Sequence, residues 1–92
     1  MLHCAVHLIA RGYVQGVGFR FFVRDQAASR GIKGWVKNLS DGTVEIVAEG
    51  EKEILEGFIN KIKKGPMFGR VSELMTEWIE PTKAFKNFSI TF

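Results

Sequence analysis

The stretch Cys4-Ala5-Val6-His7-Leu8-Ile9-Ala10-Arg11-Gly12-Tyr13-Val14-Gln15-Gly16-Val17-Gly18-Phe19-Arg20 decides how the chain begins, and with that the order of everything after it. Cys4 to Arg11 alternates, with Val6, Leu8 and Ala10 on one face and Ala5, His7, Ile9 and Arg11 on the other, as in a strand that is at least half buried. Gly12, Gly16 and Gly18 follow, and then an arginine. Backbone this rich in glycine can turn successive N–H groups inward to form a nest for an anion, and a following helix adds its positive dipole end. Arg20 offers a permanently charged fork to the same anion. The stretch therefore reads as a strand, an oxyanion cradle and the start of a helix.

Beyond the cradle, Phe19, Val23 and Ala27 recur every fourth residue with Phe22 on the same broad side, which predicts a helix over Phe21 to Arg30 with Gly31 as its left-handed cap. Ile32 to Leu39 and Thr43 to Glu49 flank Ser40-Asp41-Gly42 as a hairpin, and Val44, Ile46 and Ala48 alternate against Glu45, Val47 and Glu49. Gly50 is expected to open a second helix with Glu51 and Glu53 in its first turn and a stripe of Ile54, Leu55, Phe58, Ile59 and Ile62. Gly65-Pro66 ends that helix. Arg70 to Glu80 reads as a long strand whose apolar residues alternate imperfectly, so a bulge or burial on both sides is expected, and Phe88, Ile90 and Phe92 form a short last strand. The order strand, helix, strand, strand, helix, strand, with a short extra C-terminal strand, predicts an α+β ferredoxin-like sandwich: an antiparallel sheet with both helices on one face.

The 92 residues suffice for one domain and one core, so residues 1–92 are taken as a single domain. No long apolar run or signal-peptide order is present, which makes the cytoplasm the expected compartment and a membrane partner unexpected. Cys4 is the single cysteine, so no internal disulfide can form. His3 and His7 are the only histidines and read as edge or surface residues; no metal site and no cofactor are expected. A net charge of +3 suits an anionic partner yet falls short of a nucleic-acid-binding density. Lys61, Lys63 and Lys64 offset the negative end of the second helix. A monomer is expected.

Other glycine motifs fit poorly. A dinucleotide fingerprint needs a third glycine where Phe21 stands, and the Gly-Lys-Ser/Thr of a Walker loop is absent. Gln15 to Phe22 shares glycine and aromatic spacing with the RNA-recognition signature, but it lacks the leading basic residue and follows the first strand instead of lying on a later one. RNA binding is kept only as an alternative.

The run Val14-Gln15-Gly16-Val17-Gly18-Phe19-Arg20, followed by Ala28, Gly31 and then Gly34-Trp35-Val36-Lys37-Asn38 with Gly42, Val44 and Gly50, resembles the acylphosphatase family. The likeness reaches the terminal Phe88-Ser89-Ile90-Thr91-Phe92 and covers nearly the whole chain. It implies an enzyme that hydrolyses the carboxyl–phosphate anhydride of a small acyl phosphate to a carboxylate and inorganic phosphate. It further implies that Arg20 binds the phosphate, that Asn38 orients the attacking water, and that the main chain of Gln15, Gly16, Val17, Gly18, Phe19 and Arg20 cradles the phosphate oxygens.

The chemistry agrees. The leaving carboxylate has a conjugate-acid pKa of about 4, so its departure needs no general acid. A loose phosphoryl-transfer transition state needs charge stabilisation and an aligned water, which an amide nest, a guanidinium and a side-chain amide can supply. Taken singly, the glycines could be turn formers, Arg20 a surface charge and Asn38 a turn-shaping residue. Two motifs in the right order require both residues at once. Ala10 and Tyr13 depart from the family pattern, which usually has a larger aliphatic and often a basic residue there; the lost cation is expected to weaken attraction of a dianion. A non-catalytic phosphate-binding or regulatory domain is the alternative from another functional class.

Overall fold

The computed structural model describes residues 2–92. β1 (His3–Tyr13), α1 (Phe19–Ala28), β2 (Lys33–Asn38), β3 (Val44–Glu51), α2 (Lys52–Lys64), β4 (Arg70–Ile79) and β5 (Phe88–Thr91) follow in order. They form one five-stranded sheet ordered β4-β1-β3-β2-β5. β1, β2, β3 and β4 pair antiparallel, as expected of the ferredoxin-like arrangement, while β5 joins β2 in parallel and makes the sheet mixed. The direction of β5 follows from its route: the chain leaves β4 at one edge beside Ala5 and reaches the other edge beside Gly34, so it enters alongside the start of β2.

The alternation in β1 and β3 is what buries the sheet. Val6, Leu8 and Ala10 pair with Ala48, Ile46 and Val44, and all six are fully enclosed. α1 lays Phe19, Val23 and Ala27 over β2 and β5, and α2 lays Leu55, Phe58, Ile59 and Ile62 over β1, β3 and β4. Phe58 meets Phe88 edge-on at 6.4 Å between ring centroids, tying α2 to the last strand. Burying each such large side chain stabilises the fold by about 1.5–3 kcal/mol.

Several element boundaries differ from the sequence reading, most of them by one or two residues. α1 starts at Phe19, two residues early, because Gly18 in the left-handed conformation turns the chain directly into the helix. Its last residue is Ala28, two short of Arg30, but the closure falls at the expected glycine: Gly31 is left-handed, Gly31 N–H donates to Ala28 O and Ile32 N–H to Ala27 O, the paired closure of a Schellman cap. Gly50 does not open α2. The β1 ladder continues through Cys4 opposite Gly50 and His3 opposite Glu51, so β3 holds these residues extended and the helix begins at Lys52. Ile54 sits roughly a quarter-turn from the centre of the buried stripe and is 37% exposed.

Of the two expectations for β4, burial on both sides fails, since the strand is mostly exposed at a sheet edge, and the bulge is found opposite Arg11 and Gly12, where Ser72 is the extra residue and its hydroxyl donates to Arg11 O. A Cβ on Gly12 would run into the Arg70 carbonyl there. Residues 80–87 cross the open face of the sheet. They are fastened by Glu49, whose carboxylate accepts from the Thr82 N–H and hydroxyl at 2.8 and 2.9 Å and from the Lys83 N–H at 2.9 Å. Ala5 and Glu49, outward-facing by alternation, are therefore buried. No helix among the described residues is long and apolar enough to cross a membrane.

Candidate active site

β1 and β2 run the same way, each antiparallel to the β3 between them, so the loop after β1 and the end of β2 meet at one end of the sheet. Gly16 and Gly18 in that loop have φ of 77° and 76°. A Cβ at either would meet nothing within 4 Å, so it is the left-handed backbone and not crowding that calls for glycine. The only backbone hydrogen bond closing the loop onto α1 runs from Phe22 N–H to Gly18 O. Among the described residues, the N–H groups from Gly16 through Phe21 find no backbone acceptor, which leaves a row of donors at a helix N-terminus.

The side chains of Gln15 and Val17 tie the loop to its surroundings. The Gln15 side-chain amide donates to Leu39 O and Thr43 O, both at 2.8 Å, and so ties the cradle to the β2–β3 hairpin. Val17 packs against the core. Phe19 is a core side chain, 1% exposed, which anchors the first turn of α1. The hairpin is itself fixed, since Asp41 accepts from the Thr43 hydroxyl at 2.6 Å and N–H at 3.0 Å. Those bonds, the hydroxyl first, hold the Asp41 carboxyl below its usual range.

Arg20 and Asn38, from α1 and β2, line one hollow of about 90 Å³ together with Val14, Gly16, Gly18, Phe19 and Phe21. Larger hollows lie elsewhere, such as one of about 310 Å³ beside Trp35, Lys37, Ser89 and Thr91, but this small one joins a guanidinium to the glycine loop. Arg20 Cζ sits 4.9 Å from the centroid of the Phe92 ring, and among the described residues no carboxylate lies within ion-pair distance of it. Asn38 Oδ1 is buried and accepts no hydrogen bond.

Arg20 and Asn38 thus converge as the sequence spacing required, while Phe21 and Phe92 were missed. Alternation placed Phe92 in a strand, and nothing in the pattern tells that its ring lies against Arg20. Arg11 is no substitute cation for position 13, because it pairs with Glu73 at 3.4 Å. Tyr13 is exposed at the end of β1, opposite Arg70. Ala10 is fully buried. His3 and His7 lie beside Glu49 and Glu45, at 3.6 and 2.8 Å. The run resembling the RNA-recognition signature lies on the loop and α1, off the sheet where that signature stacks bases.

Fold and loop together define an α+β ferredoxin-like domain with a glycine-rich loop of free N–H donors between its first strand and first helix. A sequence profile of the acylphosphatase family matches residues 6–90. An acylphosphatase of Bacillus velezensis is 45% identical over 86 residues, which are 94% of this chain and 96% of that protein. The crystal structure of acylphosphatase from Bacillus subtilis superposes with a TM-score of 0.93 at 39% identity, covering 97% of this chain and 99% of that one. Full-length HypF in a phosphate- and nucleotide-bound form matches with a TM-score of 0.90 at 36% identity; it covers 99% of this chain but only 12% of HypF. The chain belongs to the acylphosphatase family, and the family and its curated relatives support acyl phosphate hydrolysis as its activity.

Proposed function

We propose that Arg20 and the N–H row from Gly16 to Phe21 hold the phosphoryl group of the acyl phosphate, and that Asn38 holds the attacking water. The supporting observation is the buried, unpartnered Oδ1 of Asn38 at the hollow that Arg20 also lines. An orphaned acceptor costs about 1–3 kcal/mol, which a donating water relieves. A water donating to Oδ1 keeps a lone pair free for phosphorus.

Water oxygen bonds to phosphorus as the bond from phosphorus to the acyl oxygen breaks, and the electron pair leaves with the carboxylate. A dianionic acyl phosphate plus water gives carboxylate plus dihydrogen phosphate, so both water hydrogens finish on phosphate. No protein acid or base is consumed, which suits a hollow whose lining holds no carboxylate, histidine or lysine. Negative charge on the equatorial oxygens is met by the guanidinium fork and by amides already in place, the preorganised stabilisation that dominates such reactions.

The test is phosphate release from benzoyl phosphate. Arg20→Gln should lower kcat/KM by about 10²–10³-fold, and Arg20→Lys should recover little of it, since a point charge cannot reproduce the fork. Asn38→Ala should lower kcat by about 10²-fold with the affinity for inorganic phosphate retained. Full activity in either Arg20→Gln or Asn38→Ala would sink these assignments.

A further inference from the structure

The hollow holding Arg20 and Asn38 is small, about 90 Å³ against about 310 Å³ for the one beside Trp35 and Lys37. With the phosphoryl group and its water placed at Arg20 and Asn38, the acyl part of the substrate extends towards the side chains at the rim. Of the lining residues, Val14 and Phe19 are buried in the core, and Phe21 is the one large apolar side chain exposed, at 54%. Exposed aromatic surface on a helix is ordinarily unremarked, but this ring is also supported: Arg24, one turn further along α1, places its Cζ 5.1 Å from the Phe21 centroid. Arg24 is in turn held by Asp25 Oδ1, at 3.3 and 3.2 Å from Nε and Nη2.

We propose that the Phe21 ring is the surface on which the acyl group rests, and that it makes this chain favour aromatic acyl phosphates over small aliphatic ones. This rests on the placement of the phosphoryl group at Arg20. In-line displacement sends the leaving group away from the water, and the water is held from β2 by Asn38 while Phe21 comes from α1. An aromatic acyl group can stack offset or edge-on against a ring with its back supported; an acetyl group covers little of it. Contact of this kind is present in ground and transition states alike, so it sets KM more than kcat.

The experiment compares kcat/KM for benzoyl phosphate and acetyl phosphate in the native chain and in Phe21→Ala, Phe21→Tyr and Arg24→Gln. Phe21→Ala should lower the benzoyl-to-acetyl ratio about fivefold or more, mainly through a higher KM for benzoyl phosphate, with Phe21→Tyr keeping most of the ratio and Arg24→Gln falling between. An unchanged ratio in Phe21→Ala overturns the proposal, as does an equal loss on both substrates. Inhibition by inorganic phosphate reports the cradle separately: if it weakens in Phe21→Ala as much as the benzoyl KM rises, the ring supports the cradle and not the acyl group. Failure of the phosphoryl placement shows up differently, as retained activity on both substrates in Arg20→Gln.

Discussion

At the scale of single residues, the cradle depends on backbone shape before it depends on any side chain. Gly18 is both the N-cap of α1 and a left-handed residue with φ 76° and open space around its missing Cβ. An alanine there meets no neighbour, so its cost is conformational, about 1–2 kcal/mol. That cost can be met by unfolding slightly or by relaxing the loop to negative φ, which would turn N–H donors away from the hollow. Gly18→Ala should therefore lose about tenfold or more in kcat/KM while unfolding only a few degrees earlier, read by pairing the hydrolysis assay with thermal denaturation. A variant with native activity and a large loss of stability would show that the left-handed turn serves the helix and not the donors.

At the scale of elements, the cradle is one half of a pair whose other half is the β2–β3 hairpin. Gln15 is the tie, its amide bonding two carbonyls on either side of the turn, Leu39 O and Thr43 O. Since Asn38 is adjacent to Leu39, cutting the tie frees its amide, the proposed holder of the water, to shift relative to Arg20. Gln15→Leu keeps the bulk and removes both donors; it should destabilise the fold by about 1–2 kcal/mol and lower kcat more than it raises KM, measured by urea unfolding and steady-state kinetics. Much of this arrangement was legible in the sequence. Alternation in β1 and β3, the turn at Asp41-Gly42 and the four-residue spacing in α1 each report a burial period, and period is what a sequence displays. Gln15 was placed in the cradle by its main chain, and its side chain's tie to the hairpin was not legible, because a motif records where a residue stands and not which way its side chain points. The start of α2 was misread for a related reason: Gly50 and the acidic residues after it look like a helix opening, but the ladder to His3 and Cys4 is a long-range pairing invisible to local pattern.

At the scale of the whole molecule, the last strand reaches its place by a strap that the sequence shows only as an aperiodic polar run, and one carboxylate holds it down. Glu49 alternates outward in β3 and would be an ordinary surface residue if residues 80–87 did not cover it. Burial by itself pushes the Glu49 carboxyl up, but the backbone N–H groups of Thr82 and Lys83, with the Thr82 hydroxyl, outweigh it and leave the group below its usual range. A carboxyl held low in the folded state binds its proton more readily when unfolded. Its contribution is therefore complete at neutral pH, begins to shrink as pH falls through the unfolded value, and is gone once pH passes below the folded one. The strap leads directly into β5, and β5 ends beside Phe92 under the Arg20 guanidinium, so the fastening at one end of the sheet sets the chain that reaches the site at the other. Glu49→Gln replaces an acceptor-only group by one that presents an N–H₂ to N–H donors, leaving buried donors unmatched. It should cost about 1–3 kcal/mol at pH 7, and the gap from the native chain should narrow as pH is taken from about 5 towards 3. Urea unfolding across that range reads both quantities. A gap that stays constant with pH would mean that the strap is held by packing, with the charge on Glu49 contributing nothing to it.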